Sequence, residues 1–444
     1  MIARQHIQCM VVVCLLLILI TACGGSSAAE ALPTPEATPV RSPRTVTLLL
    51  WHAWPAPEHQ VLATLIDRYN QSQAQTQVIP HAVPLASLTA ELRAATLTGG
   101  GPHLVILKSH TLGGLAQDGL LLPLDEQISA SERNQLLPTA LDGALVQTDG
   151  GSRALYGLPL TFDTLVLYYN QANLTVPPGN TATLLRTARG LTDATTQPPI
   201  WGLAYTLSLD KTIGYLYAFG GRIFNEEGNL VLGSTGRAGV EQWLEWLLEL
   251  RQDQQILAVN DGIVVDSALK SQEALMTIDW AHALPEYQAL WGDRLGVATL
   301  PVLSSLNRAP QPYVQSEVIS INARVANTDE QQAALDFVRY LLTKDAQTAL
   351  LTAGKQPTVR DLNPRDATLA WELARTIRAQ AQQGQAMPNS PLMNDIVLEE
   401  LERMQLSVLR NLATPAEAVT AAEIALRQRL ELPDETGDIN GAEQ

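Results

Sequence analysis

The chain has 444 residues, of which 46% are hydrophobic and 5% are aromatic, and its formal net charge at pH 7 is −16. A chain of this length can bury a large core, and its acidic excess disfavours binding to nucleic acid or to anionic lipid through a cationic surface. The three cysteines are Cys9, Cys14 and Cys23. The chain beyond Cys23 therefore lacks the thiols for disulfides, for cysteine metal sites and for a cysteine nucleophile.

The N-terminal segment has the features of an export signal. Arg4 precedes an apolar run over residues 10–20, which is about half the ~20 residues that a membrane-spanning helix needs. A basic start, a short apolar core and small residues before Cys23 are typical of a cleaved secretory signal, so we expect a signal peptide over residues 1–22. The sequence ITAC, ending at Cys23, resembles the bacterial lipobox, which implies lipid on the Cys23 thiol. An ordinary signal with an incidental cysteine is the alternative.

Residues 23–44 follow as a lipidated cysteine and a flexible linker. A Gly/Ser/Ala stretch and then four prolines give a spacer that does not pack. We expect it to hold a folded body outside the cell membrane, with the lipid as the only membrane contact.

From residue 45 onward, strands alternate with helices. The predicted strands cover residues 45–51, 78–81, 103–107, 154–160 and 165–170, with helices from Pro57 and over 85–97 and further strand pattern at 119–124. Runs rich in leucine, valine and isoleucine alternate with helical spacing. This order predicts a mainly parallel sheet wrapped by helices.

The second half continues in the same way and ends in helices. We predict strands at 201–206, 274–278, 295–299 and 313–321, helices at 239–257, 329–343, 365–383 and 395–430, and a disordered acidic tail at 433–444. The fold class is therefore α/β, as two lobes with a helical C-terminus.

Motifs for common chemistries are absent from the sequence. It has no P-loop, no Gly-x-Ser-x-Gly and no His-Glu-x-x-His. Acidic residues at or near predicted strands are Asp163, Asp210, Asp279 and Glu317. Such carboxylates serve either as a glycosidase pair or as acceptors for sugar hydroxyls, and the sequence does not decide between these roles.

Histidine and aromatic residues also lie at or just beyond the ends of predicted strands. His52, His110 and His282 could face one cleft as metal ligands, although no local pair has ligand spacing. We find Trp51, Trp54, Trp280, Tyr287 and Trp291 at or beyond strand ends. Indole faces stack on sugar rings, which favours carbohydrate binding, and packing in the core is the alternative for each.

Several segments in order resemble the extracellular solute-binding proteins of the maltose/maltodextrin-binding type, the receptors of sugar ABC importers. They are WHAW at 51–54, LGGLAQDGLL at 112–121, YGLPL with Asp163 and LYYN over 156–170, FGG at 219–221 and MPNSPLM at 387–393. The resemblance covers nearly the whole body of the chain.

The resemblance implies a periplasmic-binding-protein-like fold whose hinge strands let two lobes close over a solute. The N-terminal lobe would comprise 45–161 and 314–361, and the C-terminal lobe 162–313 and 362–432. It implies a monomeric receptor that delivers its solute to permease subunits, with no enzymatic activity and no cofactor. Asp163 falls where the family has a hydroxyl-binding acid, and Trp280 where it has a stacking tryptophan.

Further candidate ligand-binding residues are Trp54, His110, Asp210 and Asp279.

Departures from the family pattern leave the solute open. His110 and Thr111 replace an acid–base pair, His103 replaces a common aspartate, and Val397 replaces a second stacking tryptophan. We expect the ligand to be an oligosaccharide or a related sugar, with glycerol phosphate, peptide or metal as alternatives. The alternative function is that of a secreted glycosidase. Lys108, Lys211 and Arg222 are the candidate cations for an anionic ligand.

Overall fold

A computed structural model of the protein describes residues 45–56, 58–148, 151–225, 228–325, 327–362 and 369–432. The predicted signal peptide, the lipid site at Cys23, the linker and the acidic tail therefore lie outside the described residues. So do Pro57, the predicted start of the first helix, and residues 365–368 of a later predicted helix.

The strands mostly follow the predicted apolar runs. They are β1 (Val46–His52), β2 (Thr76–Ala82), β3 (Leu104–Lys108), β4 (Leu145–Gln147), β5 (Arg153–Leu155), β6 (Leu158–Asp163), β7 (Leu165–Asn170), β8 (Ala204–Thr206), β9 (Leu257–Val259), β10 (Met276–Trp280), β11 (Leu295–Ala298), β12 (Tyr313–Ile321), β13 (Gln356–Pro357) and β14 (Gln385–Ala386). All six residues of β7 are buried, which explains why it reads as a continuous apolar run rather than as an alternating one.

Helices connect most of these strands and form the C-terminus. They are α1 (Glu58–Ser72), α2 (Leu85–Leu97), α3 (Leu112–Gln117), α4 (Ala130–Arg133), α5 (Pro138–Asp142), α6 (Thr181–Leu191), α7 (Leu209–Ala218), α8 (Arg237–Gln252), α9 (Gly262–Lys270), α10 (Leu284–Trp291), α11 (Thr328–Leu341), α12 (Lys344–Thr352), α13 (Leu369–Gln383), α14 (Leu398–Leu409) and α15 (Pro415–Arg429). Short 3-10 turns at Ser109–Thr111 and Ala281–Ala283 follow β3 and β10 directly. The predicted helical C-terminus is confirmed.

The main sheet has the strand order β13-β6-β12-β3-β1-β2, and β14 pairs with the start of β12. Strands β1, β2 and β3 are parallel, as predicted. Strand β12 returns from a distant part of the chain and runs antiparallel to both β3 and β6. The sheet is therefore mixed rather than mainly parallel, because the long connection between β6 and β12 lets the chain enter from the opposite end.

The second half does not repeat the parallel arrangement. Strands β10, β7 and β11 form an antiparallel sheet, and β8 and β9 form a parallel pair. One hydrophobic core draws on residues between 48 and 160 and between 318 and 359, and another on residues between 165 and 313 and between 397 and 426. These sets fall within the two predicted lobes, whose exact boundaries stay a prediction.

Several predicted elements differ from the observed ones. The strand predicted over 154–160 is divided into β5 and β6. The helix predicted over 239–257 ends at Gln252, and its last apolar residues begin β9. The helix predicted over 395–430 is divided into α14 and α15, because Asn411 has a positive φ of 56° and Thr414 caps a new helix through a capping box with Glu417. Residues 119–124 contribute only a bridge between Leu121 and Asn322 rather than a strand.

Within the described ranges, none of the helices combines the length and the apolar composition needed to cross a membrane.

Candidate functional site

Polar side chains meet at one end of the main sheet, where β3 and β6 finish and β12 begins. In the strand register, Gln315 of β12 lies opposite Asp163 of β6, and Glu317 lies opposite Lys108 of β3. Gln315 and Glu317 are two residues apart, so they share one face of the strand. The carboxyl ends of β3 and β6 thus form an edge of the kind where α/β proteins bind ligands.

The second sheet brings Trp280 to the same edge. Only Thr164 separates Asp163, the last residue of β6, from Leu165, the first residue of β7. Leu165 is the register partner of Trp280 at the end of β10. Two residues 117 positions apart in the sequence are therefore neighbours because of strand pairing.

Asp163 is held by His282 in the turn that follows β10. One carboxylate oxygen, Oδ1, accepts the backbone N–H of His282 at 3.1 Å, and the other, Oδ2, lies 2.6 Å from Nδ1 of the ring. The Asp163 side chain is 13% exposed, whereas the His282 side chain is 68% exposed. The hydrogen bond with Asp163 raises the pKa of His282, against the smaller opposing effect of burial.

Asp279 and Trp280 are fixed by residues from two helices. Lys211 of α7 forms an ion pair with Asp279 at 2.7 Å, and the hydroxyl of Tyr287 donates to the other oxygen of Asp279 at 2.8 Å. The indole N–H of Trp280 donates to Asp210 at 2.9 Å. The structure thus brings together four of the six predicted ligand-binding residues, Asp163, Asp210, Asp279 and Trp280.

Two pockets flank this group, which we call the Trp280 cluster: Asp163, Asp210, Lys211, Asp279, Trp280 and His282. One pocket, of about 260 Å³, is lined by Lys211, Asp279, Trp280 and His282 with residues of α9 and α10. The other, of about 280 Å³, is lined by Asp210 and Tyr313 with Met387, Asn394 and residues of α14.

His110 joins the edge through Gln315. Its Nδ1 atom lies 3.1 Å from the Gln315 amide nitrogen, so Nδ1 accepts a hydrogen bond, and its carbonyl accepts one from Asn394 at 2.9 Å. Burial, and then the charge of Lys108, lower the pKa of His110. A neutral ring tied to β12 and to the 387–394 segment gives His110 a structural role whether or not it also contacts a solute.

Glu317 lies in a buried ionic network beside the cluster. It forms ion pairs with Lys108 at 2.9 Å and Lys355 at 3.0 Å and accepts from the Thr161 hydroxyl at 2.7 Å. Burial alone would raise its pKa, but the two lysines and the hydroxyl outweigh this effect and lower the pKa to about 2. A glycosidase general acid needs a raised pKa, so Glu317 does not suit that role.

Trp54 lies away from solvent. It is 5% exposed, belongs to the core built around β1 and β3, and has the Lys355 ammonium 4.8 Å from its ring centre. This position favours packing, the alternative that the sequence left open, over direct contact with a solute. The Trp54 ring contacts the Lys355 ammonium, and this ammonium is paired with Glu317, so Trp54 helps to hold the ion pair in place.

The three histidines considered as metal ligands have separate partners. His52 is buried and lies 3.1 Å from His59, and burial, followed by the nearby histidines, lowers its pKa to about 4. His110 and His282 contact Gln315 and Asp163 instead. Within the described residues, no group of three or more histidine, cysteine or acidic side chains could hold a metal ion.

A further pocket, of about 800 Å³, is basic. It gathers Lys344, Arg360, Arg375 and Arg378 from α12, the segment after β13 and α13. The sequence shows no run of basic residues here, because these four residues are spread over 35 positions. Arg378 is committed to the backbone carbonyls of Pro357, Val359 and Arg360.

Solved structures with this fold cover most of the chain. The maltose/maltodextrin-binding domain of Bdellovibrio bacteriovorus bound to maltotriose has a TM-score of 0.69 at 23% identity, over 87% of this chain and 100% of that one. A cyclo/maltodextrin-binding protein complexed with maltotetraose has a TM-score of 0.73 at 22% identity, over 88% and 99%. The two-lobed α/β architecture expected from the sequence is therefore confirmed.

Two proteins that are similar to this chain in sequence are named for binding oligosaccharides. The galactooligosaccharide-binding protein of Bacillus subtilis is 24% identical over 360 residues, which are 78% of this chain and 81% of that protein. The maltotriose-binding protein of Pyrococcus abyssi is 25% identical over 180 residues, which are 40% of this chain and only 38% of that protein. The model of the family described as bacterial extracellular solute-binding protein matches residues 64–375. The chain belongs to this family of extracellular solute-binding proteins.

Proposed function

We propose that the protein is the solute receptor of an ABC importer and that it binds a neutral oligosaccharide at the Trp280 cluster. The observation that carries the proposal is the indole of Trp280, fixed through its N–H on Asp210 beside the carboxylates of Asp163 and Asp279. A fixed aromatic face binds the C–H face of a sugar ring, while carboxylates accept its hydroxyl protons. A ligand of this chemistry uses both kinds of group at once.

The pairing of the nearby cations favours a neutral sugar over an anionic one. Lys108 is paired with Glu317, and Lys211 is paired with Asp279. Arg222 donates to the carbonyl of Gly221 at 2.8 Å. A phosphate bound by Lys108 or Lys211 would have to displace a carboxylate from that lysine, and the cost of leaving the carboxylate unpaired disfavours glycerol phosphate as the solute. Lys270, in the pocket beside Trp280, is outnumbered there by Asp266, Asp279 and Glu286.

The names of the relatives support an oligosaccharide rather than a single sugar. Maltotriose and galactooligosaccharides are the solutes in the names of the two sequence relatives. The two pockets on either side of the Trp280–Asp210 pair offer room for more than one sugar unit.

The same proposal includes the attachment of the receptor to the cell. Lipid on Cys23 would tether the protein outside the membrane near its permease and raise its local concentration there. The body would act as a monomer whose two lobes, 45–161 with 314–361 and 162–313 with 362–432, close on the solute and present the closed form to the permease.

Thermal melting of the purified protein with a panel of solutes tests the proposed specificity. A ligand that binds only the folded state stabilises it by about 2.7 kcal/mol at 100-fold excess over its Kd. We expect maltotriose or a galactooligosaccharide to raise the melting temperature, and glycerol 3-phosphate and a short peptide to leave it unchanged. A shift with the phosphate or the peptide alone would contradict the proposal.

A further inference from the structure

His282 is fixed by a neighbour and yet has a free nitrogen. Its Nδ1 atom donates to Asp163 at 2.6 Å, and its backbone N–H holds the other oxygen of the same carboxylate. This double contact sets both the position of the turn at Ala281–Ala283 and the orientation of the ring. Among the described residues, the Nε2 atom has no hydrogen-bond partner, and the side chain is 68% exposed.

The state of Nε2 depends on the protonation of the ring. Because Nδ1 carries the proton that is donated to Asp163, Nε2 is an acceptor when the ring is neutral and a donor when it is protonated. A change of one proton therefore reverses the kind of hydrogen bond that this atom offers, while the contact with Asp163 stays in place.

Nε2 lies where a solute at Trp280 could reach it. His282 lines the same pocket, of about 260 Å³, as Trp280, Lys211 and Asp279. The other charged groups that line it are Asp266, Lys270 and Glu286. Trp280 and His282 are two residues apart, on either side of the junction between β10 and the turn.

We propose that His282 is a pH-sensitive specificity residue that donates a hydrogen bond from Nε2 to a hydroxyl of the bound sugar when its ring is protonated. This inference rests on the proposed function, because it requires a sugar in the Trp280 cluster. It assigns to His282 a role separate from that of Asp163: Asp163 orients the ring, and the ring contacts the solute.

The surrounding charges determine the direction of the pH effect. The contact with Asp163 and the charge of Asp279 favour the protonated ring, whereas burial and the charge of Lys108 oppose it, and the pKa is raised overall. A donor that requires the proton is present below the raised pKa and is lost as pH rises through it. A sugar hydroxyl that gives its own proton to a carboxylate of the cluster can only accept at Nε2. Affinity for the sugar therefore decreases with rising pH.

Two substitutions separate the contact from the positioning role. His282→Asn places an amide N–H near the position of Nδ1, so it keeps a donor for Asp163 and removes Nε2. His282→Gln places an amide N–H near the position of Nε2 and cannot titrate. Both variants keep the backbone N–H that bonds to Asp163, and their melting temperatures without ligand report whether they fold.

The test is calorimetric titration of the purified protein with maltotriose, or with a galactooligosaccharide if that gives the larger melting shift, between about pH 5.5 and 8.5. We expect the wild type to lose about tenfold in affinity across this range, since a hydrogen bond from a charged donor is worth roughly that factor. His282→Asn should bind weakly at every pH, and His282→Gln should keep most of the low-pH affinity with no pH dependence.

Three outcomes would overturn the inference in distinguishable ways. If wild type and His282→Asn bind with equal affinity and the same pH profile, His282 does not contact the sugar, although the proposed function stands. If the wild type binds no neutral oligosaccharide at any pH, both the proposed function and this inference are wrong. Affinity that rises with pH would show that His282 competes with the sugar for Asp163.

Discussion

Trp280 is held at its backbone carbonyl and at its indole N–H. The backbone carbonyl of Trp280 accepts from the Tyr168 hydroxyl at 3.2 Å, and the indole N–H reaches Asp210 at 2.9 Å. A side chain whose rotamer is fixed before binding loses less conformational entropy when a ligand stacks on it. A ring fixed in this way suits the stacking role that we propose for it.

Replacing Trp280 tests the stacking role. Trp280→Ala should weaken oligosaccharide binding by at least tenfold, because it removes the aromatic face that would cover a sugar ring. Trp280→Phe keeps an aromatic face and loses only the bond to Asp210, so its loss should be smaller. Calorimetric titration of both variants measures the difference, and unchanged affinity in Trp280→Ala would place the sugar elsewhere.

We expect Glu317 to stabilise the folded protein at the same edge of the main sheet. Glu317→Gln leaves Lys108 and Lys355 facing each other without a buried anion, which should lower the free energy of unfolding by about 3 kcal/mol. Asp142→Asn breaks the exposed pair with Arg153, at 3.2 Å, and should cost less than about 1 kcal/mol. Urea denaturation of the two variants compares them. Equal losses would mean that the network contributes no more than a surface pair.

The pH dependence of the Glu317 contribution follows from its pKa. The pKa is lowered to about 2 in the folded protein from about 4.3 in an unfolded chain. The stabilisation is therefore complete above the unfolded value and is lost as pH falls through the folded one. Urea denaturation near pH 3 should show a smaller difference between Glu317→Gln and wild type than at pH 7, and a constant difference would contradict the assignment.

Residues at strand ends were predictable, and residues joined across the fold were not. Asp163, Asp279 and Trp280 could be chosen because each ends an apolar run, and the carboxyl ends of strands meet at one edge. The partners of Glu317 come from β3 and from the segment before β13, more than 200 and nearly 40 positions away in the chain. Ion pairs between residues so far apart in the chain depend on the register of the strands, and that register cannot be read from a single sequence.

At the scale of elements, α3 lies against the 387–391 segment with almost no space between them. The backbone N–H of Gly113 donates to the carbonyl of Asn389 at 3.0 Å, and a β-carbon at Gly113 would overlap that carbonyl. The amide of Asn389 also holds the carbonyls of Gly143 and Leu145. This contact places Met387 and Asn394, which line a pocket of the candidate site.

Adding one methyl group at Gly113 tests that contact. Gly113→Ala should destabilise the protein by about 1–3 kcal/mol, because the backbone of one segment must move, and it should weaken oligosaccharide binding. Gly190→Ala, in α6 with no atom within 4 Å of the added carbon, should instead stabilise by up to about 1 kcal/mol. Urea denaturation compares the two variants, and a neutral Gly113→Ala would show that the segment yields easily.

Element type was easier to predict than element ends. Strands β7 and β12 match their predicted bounds, because each is bounded by polar or turn residues. Helix α8 was extended too far because Ile256 and Leu257 continue its apolar spacing, although Ile256 precedes β9 and Leu257 begins it. Periodicity alone does not distinguish the end of a helix from a short buried strand that follows it closely.

At the scale of the whole molecule, the chain builds two hydrophobic cores and passes between them several times. A third cluster joins them, with Phe162 and Val166 packed beside residues of α5 and α13. The Trp280 cluster lies at the β6–β7 junction, where the chain leaves the first core and enters the second. A solute bound there contacts side chains supported by both.

The proposed anchor is tested in cells. Cys23→Ser removes the thiol that would carry lipid, so the protein should move from the membrane fraction to the soluble extracytoplasmic fraction. Cys14→Ser, within the predicted signal, should leave the distribution unchanged. Immunoblots of fractionated cells measure both the location and the size of each protein. A Cys23→Ser protein that has lost its signal peptide and still stays in the membrane fraction would show that lipid on this residue is not the anchor.

We propose that this receptor binds a neutral oligosaccharide without altering it. Calorimetric titration of the purified protein with maltotriose and with a galactooligosaccharide, followed by chromatography of the recovered sugar, tests it directly. We predict saturable binding of one sugar molecule per protein chain and recovery of the sugar intact. No saturable binding of either sugar, or recovery of shorter products, would contradict the claim.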